Sequence, residues 1–159
     1  MNKSYYVLEP FLTEEERTGL LKHLKETEWH RHKSSKTGEL SPLHLRRAKF
    51  RNFEKAWVMK MEPNSRQEMH TDEKGIDRET LIIYPLTDNY APIVTEDGST
   101  DQPAIVNTQQ PHAVYNNNNV RLNLQIPLSC AFEDLFDYVW GVSNHKVWNQ
   151  IRELCTQLN

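Results

Sequence analysis

The chain has 159 residues, of which 37% are hydrophobic and 26% are charged, a composition typical of one globular domain that excludes collagen-like and disordered chains. The net charge of −3 does not favour a broad nucleic-acid-binding surface. The longest apolar runs, such as LIIY, are too short to cross a bilayer. We therefore expect neither a nucleic-acid partner nor a membrane partner.

The first ten residues, MNKSYYVLEP, contain no hydrophobic signal segment, so we expect the mature chain to start at or near Met1. Cys130 and Cys155 are too far apart in sequence to read as a metal-binding or redox pair. Both features favour a reducing, cytoplasmic location.

The N-terminal part predicts a short strand followed by a helix. YYVL, at residues 5–8, is the strand. The helix is predicted over about 13–28, because Thr13 and Glu16 match a capping box and the leucines that follow repeat with helical spacing. The polar residues 30–42 predict an exposed loop.

The middle of the chain, about 43–128, predicts a β core. Short runs, many of them alternating apolar with polar residues, are separated by turn-forming segments. The runs are LHLRRAKF, KAWVMKM, RQEMHTD, ETLIIYPL, PIVTE, PAIVNT, HAVYN and VRLNLQIPL. Such a series of short strands is typical of a sandwich, a jelly roll or a barrel.

The C-terminal part predicts helices again, over about 132–157, with Ser143 placed to cap the second of them. The chain 1–159 is therefore interpreted as a single, mainly β domain. Helices at about 13–28 and 132–157 brace one face of the β core and leave one end of it open for a site.

Three side chains of the β region are candidate metal ligands. His70 and Asp72 lie two residues apart, and side chains at i and i+2 of a strand point to the same face. His112 begins another alternating strand after a turn. Two imidazoles and one carboxylate form the facial triad of non-haem iron(II) oxygenases, so we predict His70, Asp72 and His112 as metal ligands and catalytic centre.

Arg121, nine residues after His112, is a candidate anion-binding residue. In VRLNLQIP the apolar residues fill one face, and Arg121 and Asn123 lie on the other. From the next antiparallel strand, Arg121 can point into the same cavity as His112, and its planar guanidinium can bind a carboxylate through two hydrogen bonds. A dicarboxylic keto acid could chelate the metal at one end and meet Arg121 at the other. Tyr84, in TLIIYPL, is a further candidate to help hold such a ligand.

This pattern resembles the 2-oxoglutarate- and iron(II)-dependent dioxygenase superfamily, whose motif is H-x-D, a distal histidine and a basic residue on the following strand. Here the motif reads HTD at 70–72, then His112 and Arg121, with a separation of 42 residues between the two histidines. The opening strand and helix are also similar to those of many members, so the resemblance covers about 5–128, although its specific part is four residues.

The resemblance implies a double-stranded β-helix, a jelly-roll variant, that binds Fe(II) and uses 2-oxoglutarate and dioxygen. It implies that Arg121 holds the distal carboxylate of 2-oxoglutarate, with Asn123 standing where some members have serine. Asp72 favours hydroxylation, because related halogenases lack this carboxylate.

Structural interpretations compete with these roles. His70 and Asp72 alone fit a solvated strand end, and Arg121 alone fits a surface cation. The pair His30 and His32 has no nearby carboxylate or cysteine, so we do not expect a metal site there.

Two further groups are ambiguous in the same way. Trp57, Met59 and Met61 share a strand face, and they either pack in the core or wall the pocket. The basic residues of RRAKFRNFEK either meet an acidic substrate or cover apolar surface with their stems.

Three functions stay open at this point: the oxygenase, a non-catalytic metal-binding β-sandwich module, and a cupin-like metalloenzyme that does not use 2-oxoglutarate. Arg121 favours the oxygenase, because a site without a keto acid does not need a cation facing the metal. The substrate is an unidentified small molecule or peptide side chain, and we expect the loops at 30–44, 73–79 and 87–104 to select it.

Overall fold

A computed structural model describes residues 4–22, 29–33, 38–51, 53, 55–72, 80–128 and 132. The elements within these ranges are β1 Tyr5–Val7, α1 Glu14–Lys22, β2 His30–Lys33, β3 Leu40–Arg47, β4 Trp57–Met61, β5 Arg66–His70, β6 Thr80–Pro85, β7 Ile93–Thr95, β8 Gly98–Thr100, β9 Ala104–Asn107, β10 His112–Tyr115 and β11 Arg121–Leu128. The predicted mainly β fold is confirmed.

The strands form two antiparallel sheets. The larger sheet has the order β1-β9-β6-β11-β4-β3-β2, and the smaller sheet has the order β5-β10-β7-β8. Most neighbours in space are distant in sequence, because the chain crosses repeatedly from one sheet to the other. Such crossing between two sheets is the connectivity of a jelly roll.

Apolar side chains are buried in two layers, one on each face of the larger sheet. The outer layer packs this sheet against α1 and includes Leu20, Val58, Ile82, Leu124 and Ile126. The inner layer lies between the two sheets and includes Met59, Met61, Ile93, Val106 and Val114.

β11 separates the two layers. Its apolar residues belong to the outer layer, as the alternation predicts. Arg121, Asn123 and Gln125 face inward and are almost completely buried, since they pair with inner-face residues of β4. A buried strand face that carries three polar side chains costs free energy unless those groups find partners, which makes this face a candidate for function.

α1 begins at the predicted capping box. The Glu16 amide donates to Thr13 Oγ1 over 3.0 Å, and the Thr13 amide donates to Glu16 Oε1 over 3.1 Å. The Glu16 carboxylate also accepts two hydrogen bonds of 2.8 Å from the Arg51 guanidinium. These contacts tie the start of α1 to the connection between β3 and β4.

Each of the eight predicted runs overlaps one strand, β3 to β7 and β9 to β11. β3 begins at Leu40, three residues earlier than predicted and inside the segment 30–42 that was predicted as a loop. Two more strands form where a loop and a turn were predicted. β2 is an edge strand whose residues are mostly exposed, so it shows no apolar alternation. β8 is the short second strand of a hairpin with β7, and its sequence GST carries no strand pattern.

The remaining helix predictions fall outside the described residues. α1 is described as far as Lys22, so the predicted residues 23–28 cannot be compared, and neither can the C-terminal helices after Phe132. None of the described helical residues belongs to a segment with the length and hydropathy of a bilayer span.

Candidate metal centre and anion pocket

The three candidate ligands come together at the end of the smaller sheet. His70 ends β5 and His112 begins β10, and the antiparallel register places them opposite each other, with ring centroids 4.4 Å apart. Asp72 follows β5 by two residues. Its backbone amide donates to the Thr108 carbonyl over 2.9 Å, which holds Asp72 against the loop that leads into β10.

Asp72 stands between the two imidazoles. Its Oδ1 lies 3.4 Å from His70 Nε2 and 3.4 Å from His112 Nε2. One ligand atom from each of the three residues lies within 4.8 Å of the others, and among the described residues no other group of three or more His, Cys, Asp and Glu side chains converges in this way.

Backbone carbonyls fix which nitrogen of each histidine is available. His70 Nδ1 lies 2.7 Å from the Glu68 carbonyl, and His112 Nδ1 lies 2.9 Å from the Gln110 carbonyl. A carbonyl oxygen only accepts, so Nδ1 carries the proton in both rings and Nε2 presents a lone pair towards Asp72. This is the arrangement that orients histidine as a metal ligand.

The electrostatics of the triad favour a positive charge at its centre. Burial raises the pKa of Asp72, but interactions with His112 and His70 outweigh it, and the net result is a pKa well below the usual range. Because Nδ1 carries the proton of each neutral ring, Nε2 can donate a hydrogen bond to Asp72 Oδ1 only when that imidazole takes up a second proton. A divalent cation at the centre would replace such protons.

A second group of polar side chains surrounds Arg121 in the interior. Arg121 is 3% exposed, its Nε donates to the Ala91 carbonyl over 2.9 Å, and its guanidinium carbon lies 4.0 Å from the centroid of the Tyr90 ring. Nη1 lies 4.0 Å from Met61 Sδ. Burial lowers the pKa of Arg121, but a guanidinium starts so high that it keeps its charge.

Four buried polar atoms of this group lack a hydrogen-bond partner among the described residues. They are Arg121 Nη2, Tyr90 Oη, and both Nδ2 and Oδ1 of Asn123. Burial raises the pKa of Tyr90, and Arg121 and Asn123 lie close enough to oppose that shift, although neither satisfies the geometry of a hydrogen bond to the hydroxyl. Unsatisfied buried groups are rare, and a cluster of them indicates a site for a ligand.

We name this cluster of Tyr90, Arg121 and Asn123 the anion pocket. It opens on the same interior as the triad. Arg121 and Asn123 pair with Met61 and Met59, which belong to the inner layer, and Val114, two residues along β10 from His112, belongs to that layer too. His112 and Val114 lie two residues apart in β10, and the pairing of β10 with β7 is regular there. Their side chains therefore point to the same side of the sheet.

Arg121 lies on β11, the strand that follows β10 in the chain, as expected. β11 is not the antiparallel partner of β10, because β11 pairs with β4 and β6 in the larger sheet, whereas β10 pairs with β5 and β7 in the smaller one. The chain crosses to the other sheet in the asparagine turn, so Arg121 approaches the interior from the facing sheet.

Tyr84 lies on the other face of the larger sheet. It pairs with Leu124, packs against the outer layer and makes an edge contact with Phe11, with ring centroids 4.8 Å apart. This placement removes Tyr84 from the residues that face the anion pocket. Tyr90, in the polar turn before β7, lies against the Arg121 guanidinium instead, and no periodicity marks an aromatic residue in such a turn.

The other ambiguous groups are placed as follows. Met59 and Met61 are buried in the inner layer, and Trp57 packs against it, so these residues are core and pocket wall at once. His30 and His32 lie on the edge strand β2. Arg51 pairs with Glu16, which gives one residue of the basic segment a structural partner.

No protein-family model and no curated protein sequence matches the chain. Among solved structures, a prolyl-4-hydroxylase from Pseudomonas putida superposes with a TM-score of 0.54 at 12% identity, covering 77% of this chain and 90% of that chain. A cupin domain from Bordetella pertussis Tohama I gives a TM-score of 0.39 at 14% identity, covering 55% of this chain and 93% of that chain. The likeness to the prolyl-4-hydroxylase supports the jelly-roll fold.

The donor set of the triad fits a divalent transition metal. Two neutral imidazoles and one carboxylate are borderline ligands that suit iron(II), and three protein ligands leave coordination positions free for other groups. The cluster around Arg121 fits a carboxylate, because Arg121 Nη2 and the Tyr90 hydroxyl are donors without a partner among the described residues and the guanidinium is charged.

Proposed function

We propose that this protein is a non-haem iron(II) oxygenase that couples the oxidative decarboxylation of 2-oxoglutarate to the hydroxylation of a small molecule or peptide side chain. His70, Asp72 and His112 would hold the iron. Bound iron(II) would supply the activation of dioxygen. The overall reaction converts 2-oxoglutarate, dioxygen and a C–H bond of the substrate into succinate, carbon dioxide and the corresponding C–OH.

One observation carries the 2-oxoglutarate half of this proposal. One guanidinium nitrogen (Arg121 Nη2), the Tyr90 hydroxyl and the Asn123 carboxamide are buried without a hydrogen-bond partner within the described part of the chain, and they face the interior onto which the triad opens. A ligand with a metal-chelating end and a carboxylate at the other end would satisfy both groups at once. 2-Oxoglutarate has both features, whereas a simple 2-keto acid has only the first.

Each residue has a distinct task in this scheme. The Glu68 and Gln110 carbonyls keep the imidazole Nε2 lone pairs directed at the metal position. Arg121 and Tyr90 would donate hydrogen bonds to the distal carboxylate, and Asn123 would donate another from Nδ2. Burial of this pocket excludes water, which strengthens the charge-assisted bonds.

A cupin-like metalloenzyme that does not use 2-oxoglutarate is the second candidate, because the same triad and fold would serve it. A non-catalytic metal-binding module is the third. Neither accounts for the unpartnered groups around Arg121. The neighbour named as a prolyl-4-hydroxylase supports hydroxylation as the reaction class.

The test is anaerobic addition of iron(II) and 2-oxoglutarate, followed by visible absorption. Chelation of iron(II) by a 2-keto acid gives a weak metal-to-ligand charge-transfer band, which we expect for wild type and not for His70→Ala. His44→Ala is the matched control, since His44 lies on the outward face of β3 opposite Lys60. Admission of oxygen should then yield succinate.

Two results would count against the proposal. Absence of the band in wild type would remove the 2-oxoglutarate oxygenase and leave the cupin-like alternative. Retention of tight, stoichiometric iron binding by His70→Ala would remove His70 from the ligand set.

A further inference from the structure

The pairing register between β5 and β10 shifts by one residue beside the metal centre. His112 pairs with His70, but Val114 pairs with Gln67. Two steps along β10 thus correspond to three steps along β5, so β5 carries one extra residue at Glu68–Met69. This is a β-bulge, a feature that often lies next to active sites and changes where side chains point.

Burial along β5 agrees with the bulge. Glu68 and Met69 are both exposed, Met69 by 44%, whereas Gln67 and His70 are both partly buried. In a regular strand, residues three apart face opposite sides, so Gln67 and His70 could not both face inward. The bulge places them on one face.

The bulge also arranges the two sides of the His70 ring. The Glu68 carbonyl, turned aside at the bulge, accepts the hydrogen bond from Nδ1. On the opposite side, Gln67 Nε2 lies 3.2 Å from His70 Nε2. Because the Nδ1 proton is engaged with a carbonyl, Nε2 is an acceptor, and the Gln67 amide is its donor.

The lone pair that Gln67 engages is the one that a metal ion needs. We propose that Gln67 is a further binding residue of the metal centre with two alternating partners. Without metal it donates to His70 Nε2; when a cation takes that lone pair, the released carboxamide donates to 2-oxoglutarate at the edge of the centre. The second half of this inference rests on the proposed function, whereas the first half rests on the contact alone.

The inference predicts opposite effects of one substitution. Gln67→Leu keeps the side-chain size and removes the hydrogen bond, which no longer competes with the cation. One such bond is worth about 0.5–1.5 kcal/mol, so manganese(II) should bind about 2- to 10-fold more tightly. The manganese-loaded variant should bind 2-oxoglutarate about 2- to 10-fold more weakly, because the released donor is missing.

Both affinities are measured by calorimetric titration without oxygen, with thermal unfolding as a check on folding. Met69→Leu is the matched control, because the Met69 side chain is exposed at the same bulge and the substitution changes no charge, and it should change neither affinity. Gln67→Glu is the second variant. It adds a carboxylate at the position of the carboxamide and should bind manganese(II) more tightly than Gln67→Leu.

Weaker manganese binding by Gln67→Leu would show a merely supporting role and overturn the inference, and so would an unchanged manganese affinity of that variant. Unchanged 2-oxoglutarate affinity in Gln67→Leu would overturn the second half. If wild type binds manganese(II) but not 2-oxoglutarate, the proposed function fails, and the tighter manganese binding of Gln67→Leu still decides the first half.

Discussion

His70 and His112 both present Nε2 to Asp72. They do so because the Nδ1–H group of each ring donates a hydrogen bond to the backbone carbonyl two residues earlier in the chain. The spacing of the histidines and Asp72 in the sequence carries the chemistry of the ligands. The carbonyl contacts depend on a bulge and on a turn, so the spacing alone does not predict them.

Tyr90 and Tyr84 offer a matched pair of tests for the anion pocket. Tyr90→Phe removes one donor to the charged distal carboxylate, a loss of about 1.5–3 kcal/mol, and should weaken 2-oxoglutarate binding about 10- to 100-fold. Tyr84→Phe should leave that affinity unchanged, because Tyr84 packs in the outer layer. Titration of the manganese-loaded proteins gives both values, and the reverse ranking would exclude the assigned pocket.

Arg121 was predictable from sequence, whereas Tyr90 and Gln67 were not. Arg121 lies on a strand of regular alternation, so its face follows from its neighbours. Tyr90 lies in an irregular turn, and Gln67 reaches the site only through an extra residue in β5. Neither residue lies in a regular alternation of apolar and polar residues from which the orientation of its side chain could be predicted.

The start of α1 shows how a local signal combines with a distant partner. The capping box between Thr13 and Glu16 was predictable, because it involves residues three apart. The ion pair with Arg51 joins residues that are 35 positions apart, and no pattern in the sequence selects Arg51 from the other basic residues of its segment.

Glu16→Gln should destabilise the protein in a pH-dependent way. Hydrogen bonding to Arg51 is the main cause that lowers the pKa of Glu16 from 4.5 to about 2. Because the pKa of Glu16 is lower in the folded state, its ionised carboxylate stabilises the fold at pH values above 4.5, the pKa of the unfolded chain. This contribution is lost as the pH falls towards 2. Glutamine can still complete the capping box, so the variant isolates the charge.

Urea unfolding measures this effect. At pH 7 we expect Glu16→Gln to lower the free energy of unfolding by about 1–2 kcal/mol, allowing for partial solvent screening. Near pH 2 the difference should vanish. Exposed Glu15 provides the control Glu15→Gln, and an equal loss at both pH values would contradict the assigned role of the charge.

Most strands that the sequence predicted have one apolar face against a buried layer, whereas β5 was predicted although its only apolar residue, Met69, is exposed. β2 and β8 escaped prediction because β2 is an exposed edge and β8 is only three residues long. The alternation of β11 was predicted correctly, but the sequence alone does not distinguish a buried polar face from one exposed to solvent. Only the second sheet shows that this face is buried.

The crossing between sheets also explains the run of four asparagines at 116–119. Asn117 Nδ2 donates to the Asn89 carbonyl over 2.8 Å, and its own carbonyl accepts from the Asn64 amide over 2.7 Å. This turn therefore ties together the β4–β5 and β6–β7 connections. The second of these carries Tyr90, together with Ala91, whose carbonyl binds Arg121.

Asn117→Ala should loosen the segment that carries Tyr90. The substitution removes two side-chain hydrogen bonds, from Nδ2 to the Asn89 carbonyl and from the Asn119 amide to Oδ1. We expect a loss of about 1–2 kcal/mol in the free energy of unfolding and a several-fold weaker affinity for 2-oxoglutarate, with manganese affinity retained. Asn118→Ala, at an exposed position of the same turn, is the control. A parallel loss of manganese and 2-oxoglutarate affinity would show a general structural effect instead.

The architecture of the molecule was predictable in outline and not in connectivity. Eight strand runs in succession predicted a sandwich, jelly roll or barrel, and the resemblance selected the jelly roll. The pairing of β11 with β4 and β6 depends on contacts between residues far apart in sequence, which local patterns do not encode. The proposed site depends on that pairing, because it places Arg121 on the inward face of the larger sheet.

The most direct test of the site is a comparison of two keto acids on the manganese-loaded protein without oxygen. 2-Oxobutyrate has the chelating end of 2-oxoglutarate and lacks the distal carboxylate. Charge-assisted hydrogen bonds are worth about 1.5–3 kcal/mol, so wild type should bind 2-oxoglutarate about 10- to 100-fold more tightly than 2-oxobutyrate. Arg121→Gln should lose this preference and keep its affinity for 2-oxobutyrate, whereas exposed Arg66→Gln should behave as wild type. Equal affinities of wild type for the two acids, or an undiminished preference in Arg121→Gln, would contradict the proposed site.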